Sequence, residues 1–359
     1  MKAKIVQIEV NENKRMIAIS DIHGNLQRLK TLLEKINYSH NDILFIVGDT
    51  LEKGLHSLKT LQYLFGLSKT NEVYMLCGNC DTILDDIQNN EDDAEILEYT
   101  TRRKNSIIHD MCNELSITVD ENFRFSAVRD KIISHFEEIF EWYNNLPHII
   151  ETQKFIFAHA GLTSKKLDEN EFFTTVKNDD FLLQDIAFDK YVIVGHMPVI
   201  NTCDAIGCHN PKIDEKRKVI GIDGGNVIRS NGQLNAFIIE NSVDFSFDSV
   251  DELPHCVAKS AQQSNDNSIN LTCINEDIEL ISQDDKFSLC RHISSNTELY
   301  IPNESVWVRK GKQQCNDGTN YRIEVEKGES LSYIQDIGDD CLVKKDGVIG
   351  LISKDMVEI

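Results

Sequence analysis

The stretch Met16–Asn25, MIAISDIHGN, decides how the chain is read. An apolar run, Met16–Ile19, passes into a turn that carries Asp21, His23 and Gly24. A run this short, ending in a Gly-containing turn, has the signature of a buried strand. The same event recurs along the chain. DILFIV leads into Asp49, EVYMLC into Asn79, KFIFA into His159, and YVIV into His196. In an open α/β sheet, ligands gather beyond the carboxyl ends of the strands, so residues far apart in sequence converge there. Three carboxylate or amide oxygens and three imidazoles are what two adjacent divalent metals need, and the set reads as a dinuclear hydrolytic site.

Composition bounds this reading. A chain of 359 residues, 41% hydrophobic, has room for one large globular domain and a small one. A formal charge of −22 argues against a general nucleic-acid or anionic-membrane binder, because both partners want Lys/Arg surfaces. No stretch is long and apolar enough to span a bilayer. MKAKIVQIEVNENKR is broken by charge too early for a secretory signal. Ten cysteines without framework spacing point to a reducing compartment, and the expected location is the cytoplasm. Cys77 and Cys80 spell C-x-x-C, but Cys77 ends an expected buried strand and reads as structural.

The first half alternates strands with helices. Apolar spacing predicts helices over 26–36 and 55–67, hence a mostly parallel sheet with right-handed crossovers. Residues 82–146 read as a helical insertion beside the site, with 132–143 one amphipathic helix. The sheet is expected to resume with 154–158 and 191–194. A hairpin, 233–240 and 243–247, closes a domain spanning 1–248. The polar, aperiodic stretch 249–270 reads as a linker. Residues 271–359 read as β-rich, with short runs between Gly and Asp turns.

The blocks D-x-H-G (21–24), G-D-x-x-x-x-G (48–54), G-N-x-[DE] (78–81), H-A-G (159–161) and G-H (195–196) occur in one order. That order resembles the serine/threonine protein phosphatase family of metallophosphoesterases, particularly its bacterial members, over roughly the first two thirds of the chain. The resemblance implies a four-layer α/β/β/α sandwich. It implies Asp49 as a bridge between two metals, with Asp21 and His23 on one ion and Asn79, His159 and His196 on the other. Imidazole and oxygen ligands without thiolate suit manganese, with iron or zinc as alternatives. The implied activity is hydrolysis of phosphate monoesters, foremost phosphoserine and phosphothreonine in proteins, by a hydroxide held between the metals. Asp223, in an IDGG strand end, resembles a structural position.

The chain departs from the family pattern at three places. Cys80 stands where the family has a His that protonates the leaving oxygen, and Glu52 where it has the Asp partner of that His. Lys53 stands where an Arg grips phosphate, and lysine offers a point charge rather than a fork. Between Arg129 and Arg217 there is no arginine to serve as a second phosphate ligand. Cys80, Glu52 and Lys53 are therefore the candidate catalytic residues, with Lys53 and Asn79 on the substrate. The departures motivate an alternative, a phosphodiesterase or nucleotide phosphohydrolase acting on a small phosphoester. Gly318–Tyr321, Lys327–Gly328 and Gly347–Gly350 resemble the bacterial SH3-like domain, a small all-β barrel. This implies a module for a peptide or protein partner, and a third reading, a metal-binding adaptor working through that module.

Overall fold

The computed structural model describes every residue except Glu91 and Asn316. The chain forms two units, Met1–Met197 with Pro211–Val250, and Pro198–Asn210 with Asp251–Ile359. Strands of the first unit are Ile5–Gln7 (β1), Met16–Ile19 (β2), Ile43–Val47 (β3), Glu72–Leu76 (β4), Ile149–Glu151 (β5) and Phe155–Ala158 (β6). Tyr191–Val194 (β7), Lys212–Asp214 (β8), Val219–Gly221 (β9), Leu234–Glu240 (β10) and Asp244–Val250 (β11) complete them. They build two sheets, β11-β10-β2-β3-β4 and β1-β5-β6-β7-β9-β8. The strands expected to resume the first sheet, β6 and β7, instead lie in the second. Sequence periodicity identifies a strand but not its partner.

Residue alternation sets the layers. Met16, Ala18, Ile43, Phe45 and Val47 share one core with Phe157, Ile193 and Ile220 of the other sheet. The intervening Ile17, Ile19, Leu44 and Ile46 share another with Leu29, Leu32, Leu58 and Leu61 of the helices. Strands buried on both faces read as unbroken apolar runs, as the sequence shows. Phe45 and Phe157 stack between the sheets with centroids 3.9 Å apart and planes 7° apart. β2, β3 and β4 run parallel, and β10 joins β2 antiparallel.

The helices Leu26–Lys35 (α1) and Ser57–Ser68 (α2) cross between β2, β3 and β4. α1 starts where the Asn25 side chain accepts from the Arg28 amide. Among the described residues the insertion holds five α-helices, Ile83–Asn89 (α3), Asp93–Arg102 (α4), Ile107–Glu114 (α5), Arg129–His135 (α6) and Glu137–Asn144 (α7). Residues 132–143 thus form two helices rather than one. The break at Phe136, φ −108° and ψ 26°, lets Ile132, Phe136, Ile139, Phe140 and Tyr143 all enter one core. The crossover from β6 to β7 holds only a five-residue helix, Phe172–Val176 (α8), and short 3-10 turns.

In the second unit, residues 249–270 are not the expected linker. His255–Ala258 is a strand pairing Ser330–Ile337 on one side and Val357–Glu358 on the other, with Cys256 and Ala258 buried. Two alternating apolar side chains suffice to bury it, too few to stand out in a polar stretch. Nor do 271–359 make a single sheet system. One five-stranded sheet combines His255–Ala258 with Ser330–Ile337, Asp340–Lys345, Val348–Ser353 and Val357–Glu358. A second joins Asp277–Gln283, Phe287–His292, Thr297–Pro302, Trp307–Arg309 and Lys312–Gln314. Each has its own core. No helix among the described residues is long and apolar enough to cross a membrane.

Candidate metal centre

The loops after β2, β3, β4, β6 and β7 meet in one place, and their backbones are bent to do so. Asp21, His23, Asp49, Lys53 and His196 all have φ between 50° and 68°. Non-glycine residues in this region are strained and persist where the surroundings hold them. Glycine is required twice beside them. A Cβ on Gly48 (φ 79°) would lie 2.5 Å from the His159 ring, and one on Gly78 would lie 2.2 Å from the Asp49 amide.

Three buried or nearly buried imidazoles are each pinned by one nitrogen. His159 Nδ1–H donates to the Val47 carbonyl at 2.8 Å, and His23 Nδ1–H to the Leu51 carbonyl at 3.2 Å. His196 Nε2–H donates to Asp179 at 2.7 Å. The tautomers follow from these acceptors, and each ring keeps a lone pair on its other nitrogen. Those free nitrogens face the carboxylates. His23 Nε2 is 3.7 Å from Asp21 Oδ1 and 3.8 Å from Asp49 Oδ2, while His159 Nε2 is 3.3 Å from Asp49 Oδ1. Burial pulls the His23 imidazole down to about 4, so the ring is neutral at pH 7. Burial and the neighbouring His159 likewise hold His196 low.

The donors divide into two groups around a shared carboxylate. His23, Asp49 and Cys80 form one, and Asp49, His159 and His196 the other, with potential ligand atoms within 4.8 Å of one another. Burial opposes ionisation of Asp49, yet His159, His23, Lys53 and the Cys80 amide outweigh it and hold the carboxyl low. Burial and the Asp49 charge push Asp21 up to about 8.

Two observations test whether divalent cations fit. Asp21 Oδ1 is buried with no hydrogen-bond partner among the described residues. His159 Nε2, whose ring proton is spent on the Val47 carbonyl, turns its lone pair on Asp49 Oδ1 3.3 Å away. Lone pairs converging without a donor are costly unless a cation sits among them. The residues fit.

The other sequence candidates fare differently. Lys53 reaches the centre, its Nζ 3.2 Å from His23 Nε2. Cys80 is also there, its amide donating to Asp49 Oδ1 at 2.7 Å. Burial and the Asp49 charge push its thiol well above the usual range. Glu52 does not orient Cys80. Its oxygens accept from the Tyr99 hydroxyl at 2.5 Å and the Ile107 amide at 2.8 Å, tying the loop after β3 to the insertion. Asp223 accepts from the Gly225 amide at 2.7 Å within its own turn. Cys77 lies near the Tyr143 hydroxyl, 3.5 Å away.

Sequence reading missed three positioning residues. Asp81 accepts from the amides of Thr50, Leu51 and Gly78 at 2.8–3.0 Å, binding the loops after β3 and β4 together. Asn226 donates to the carbonyls of Asp21 and Ile22 at 3.0 and 2.8 Å. Asp179 fixes His196. Asp81 could have been found as the acid of the G-N-x-[DE] block, whereas Asn226 and Asp179 carry no local signal.

A family model described as calcineurin-like phosphoesterase matches residues 14–217. Over 155 residues the chain is 28% identical to the asymmetrical bis(5'-nucleosyl)-tetraphosphatase PrpE of Halalkalibacterium halodurans, covering 40% of this chain and 56% of that protein. It is also 28% identical over 152 residues to a symmetrical bis(5'-nucleosyl)-tetraphosphatase of Buchnera aphidicola, covering 41% and 44%. The chain spans about half the length of these relatives. A protein serine/threonine phosphatase structure from Saccharomyces cerevisiae superposes with a TM-score of 0.43 at 10% identity, over 70% of this chain and 85% of that one.

Proposed function

The chain belongs to the calcineurin-like phosphoesterase family, and from that premise we propose that it is a metal-dependent hydrolase of nucleotide polyphosphates. The observation that carries the hydrolase reading is the trio of imidazoles, each fixed by its outer nitrogen and turned inward on Asp49. In this reading Asp21, His23 and Asp49 hold one divalent ion, and Asn79, His159, His196 and Asp49 a second. Manganese, iron and zinc all suit these donors. Bound there, the metals supply Lewis acidity and lower the pKa of water.

The chain's own residues perform the rest. Lys53 places an ammonium beside the ligand cluster and offsets phosphate charge. Asp81 and Asn226 hold the three loops in their strained conformations. Cys80 argues for the substrate class. A serine or threonine leaving group departs as an alkoxide and needs an acid, which a thiol, with an ordinary pKa of about 8.5, supplies less well than the imidazole of the family pattern. A phosphate leaving group, with a pKa of about 6, departs at pH 7 without one. The names of the curated relatives support the same class.

The second reading, a phosphoserine/phosphothreonine phosphatase, rests on the order of the five blocks. In both readings the second unit is a β-rich binding module, SH3-like in part, for a peptide or protein partner.

The test is hydrolysis of a dinucleoside tetraphosphate, a phosphoserine peptide and p-nitrophenyl phosphate with added manganese, using Asp49→Asn as the blank. Turnover of the tetraphosphate at least about tenfold above the peptide, lost in the blank, is expected. Cys80→His should then raise peptide hydrolysis more than tetraphosphate hydrolysis. Preference for the peptide would favour the second reading. Silence on all three substrates would leave the metal-binding adaptor.

A further inference from the structure

The helical insertion grips the loop that carries Lys53. Tyr99 and Ile107 hold Glu52 through its two oxygens, and the Asn105 amide donates to the carbonyls of Lys53 and Gly54 at 2.7 and 2.9 Å. Residues 99–107 are therefore fastened to residues 52–54 at four points. Arg103, at the end of α4, rides on this frame. Its guanidinium lies over the Tyr99 ring, 5.6 Å from the centroid, and 4.0 Å from Glu52 Oε2. That separation exceeds a hydrogen bond, and Glu52 is already engaged by two closer donors. The fork of Arg103 is thus held in place without being used as a bidentate ion pair, and its side chain is 36% exposed.

Its neighbourhood says what it would meet. Lys53, the next residue after Glu52, reaches the ligand cluster, and Tyr99, whose ring lies beneath the guanidinium, is close enough to Cys80 to be affected by its charge, so both residues that carry Arg103 border the centre. In a chain of net charge −22, two cations carried on one loop frame beside a ligand cluster are suited to linked anionic groups. We propose that Arg103 binds the phosphate adjoining the one hydrolysed, making the insertion an element that selects substrates with two or more linked phosphates. This rests on the nucleotide-polyphosphate reading and names how that selection is made. Arg103 also supplies the fork that Lys53 lacks, from a part of the chain outside the five blocks.

Binding tests it without requiring turnover. Tripolyphosphate and orthophosphate would be titrated calorimetrically into the manganese-loaded full chain and its Arg103→Ala, Arg103→Lys and Tyr99→Phe variants. Arg103→Ala should weaken tripolyphosphate about tenfold or more, the worth of one charge-assisted contact, and orthophosphate less than about threefold. Arg103→Lys should restore part of the loss, whereas Tyr99→Phe, which loosens the frame, should affect Arg103-dependent binding in the same selective sense. Equal losses on both ligands, or no loss on tripolyphosphate, would overturn the proposal. Failure of the wild-type chain to turn over any polyphosphate would instead sink the functional reading, and the calorimetry would still decide the role of Arg103.

Discussion

At Asp179 an exposed carboxylate, 61% accessible, accepts from a ring that is almost covered. Its work is to keep the proton of His196 on Nε2, so that Nδ1 faces Asn79 and the centre. Removing such an outer partner lowers metal affinity by about 10–100-fold, and water around Asp179 should hold the effect near the lower end. Calorimetric titration of Asp179→Ala with manganese should therefore show one of two sites weakened by about tenfold. Two unchanged sites would mean that His196 needs no orienting partner. The six candidate ligands were legible because each follows an apolar run, Asp21 and His23 sharing one. Asp179 and Asn226 were not, because their partners lie 17 and 205 residues away and nothing beside them in sequence marks the contact.

Between elements, the edge of the second sheet depends on a neutral histidine. The Lys4 amide donates to His148 Nδ1 at 2.9 Å, and the His148 amide returns a bond to the Lys4 carbonyl at 2.8 Å, locking β1 beside β5. Burial, helped by the Lys4 charge, lowers the His148 pKa to about 4. In the unfolded chain it titrates near about 6.5. Between these values the unfolded state binds the extra proton, so stability falls as pH drops from about 6.5 toward 4 and the loss saturates below. Solvent reaching the half-buried ring limits the effect to about 1–2 kcal/mol. Urea unfolding across that range should show a smaller acid loss in His148→Asn than in the wild type. Identical slopes would remove His148 from the account. The same scale holds the error at Phe136. Apolar periodicity ran through 132–143 without interruption, and only the packing of both halves into one core called for the break.

For the whole molecule, the two units are not successive beads. Residues 198–210 leave the first unit directly after His196–Met197, join the second, and return at Pro211. Buried Asn270 holds that segment, donating to the carbonyls of Ile200 and Cys203 at 3.2 and 2.8 Å. Asn270→Ala would leave two carbonyls without these donors and should destabilise the full chain by about 2–3 kcal/mol, read as an earlier denaturation midpoint. A shift below about 0.5 kcal/mol would show the segment to be held elsewhere. The sequence by itself determined the buried strands, the residues that end them and hence the class of chemistry, because strand period and turn chemistry are local. Only the tertiary structure decided which sheet each strand joins, that 249–270 holds a strand, that Glu52 serves the insertion, and that Arg103 is held against Tyr99 and Glu52. Those outcomes depend on contacts between distant residues, and a distant contact leaves no pattern in either stretch that makes it.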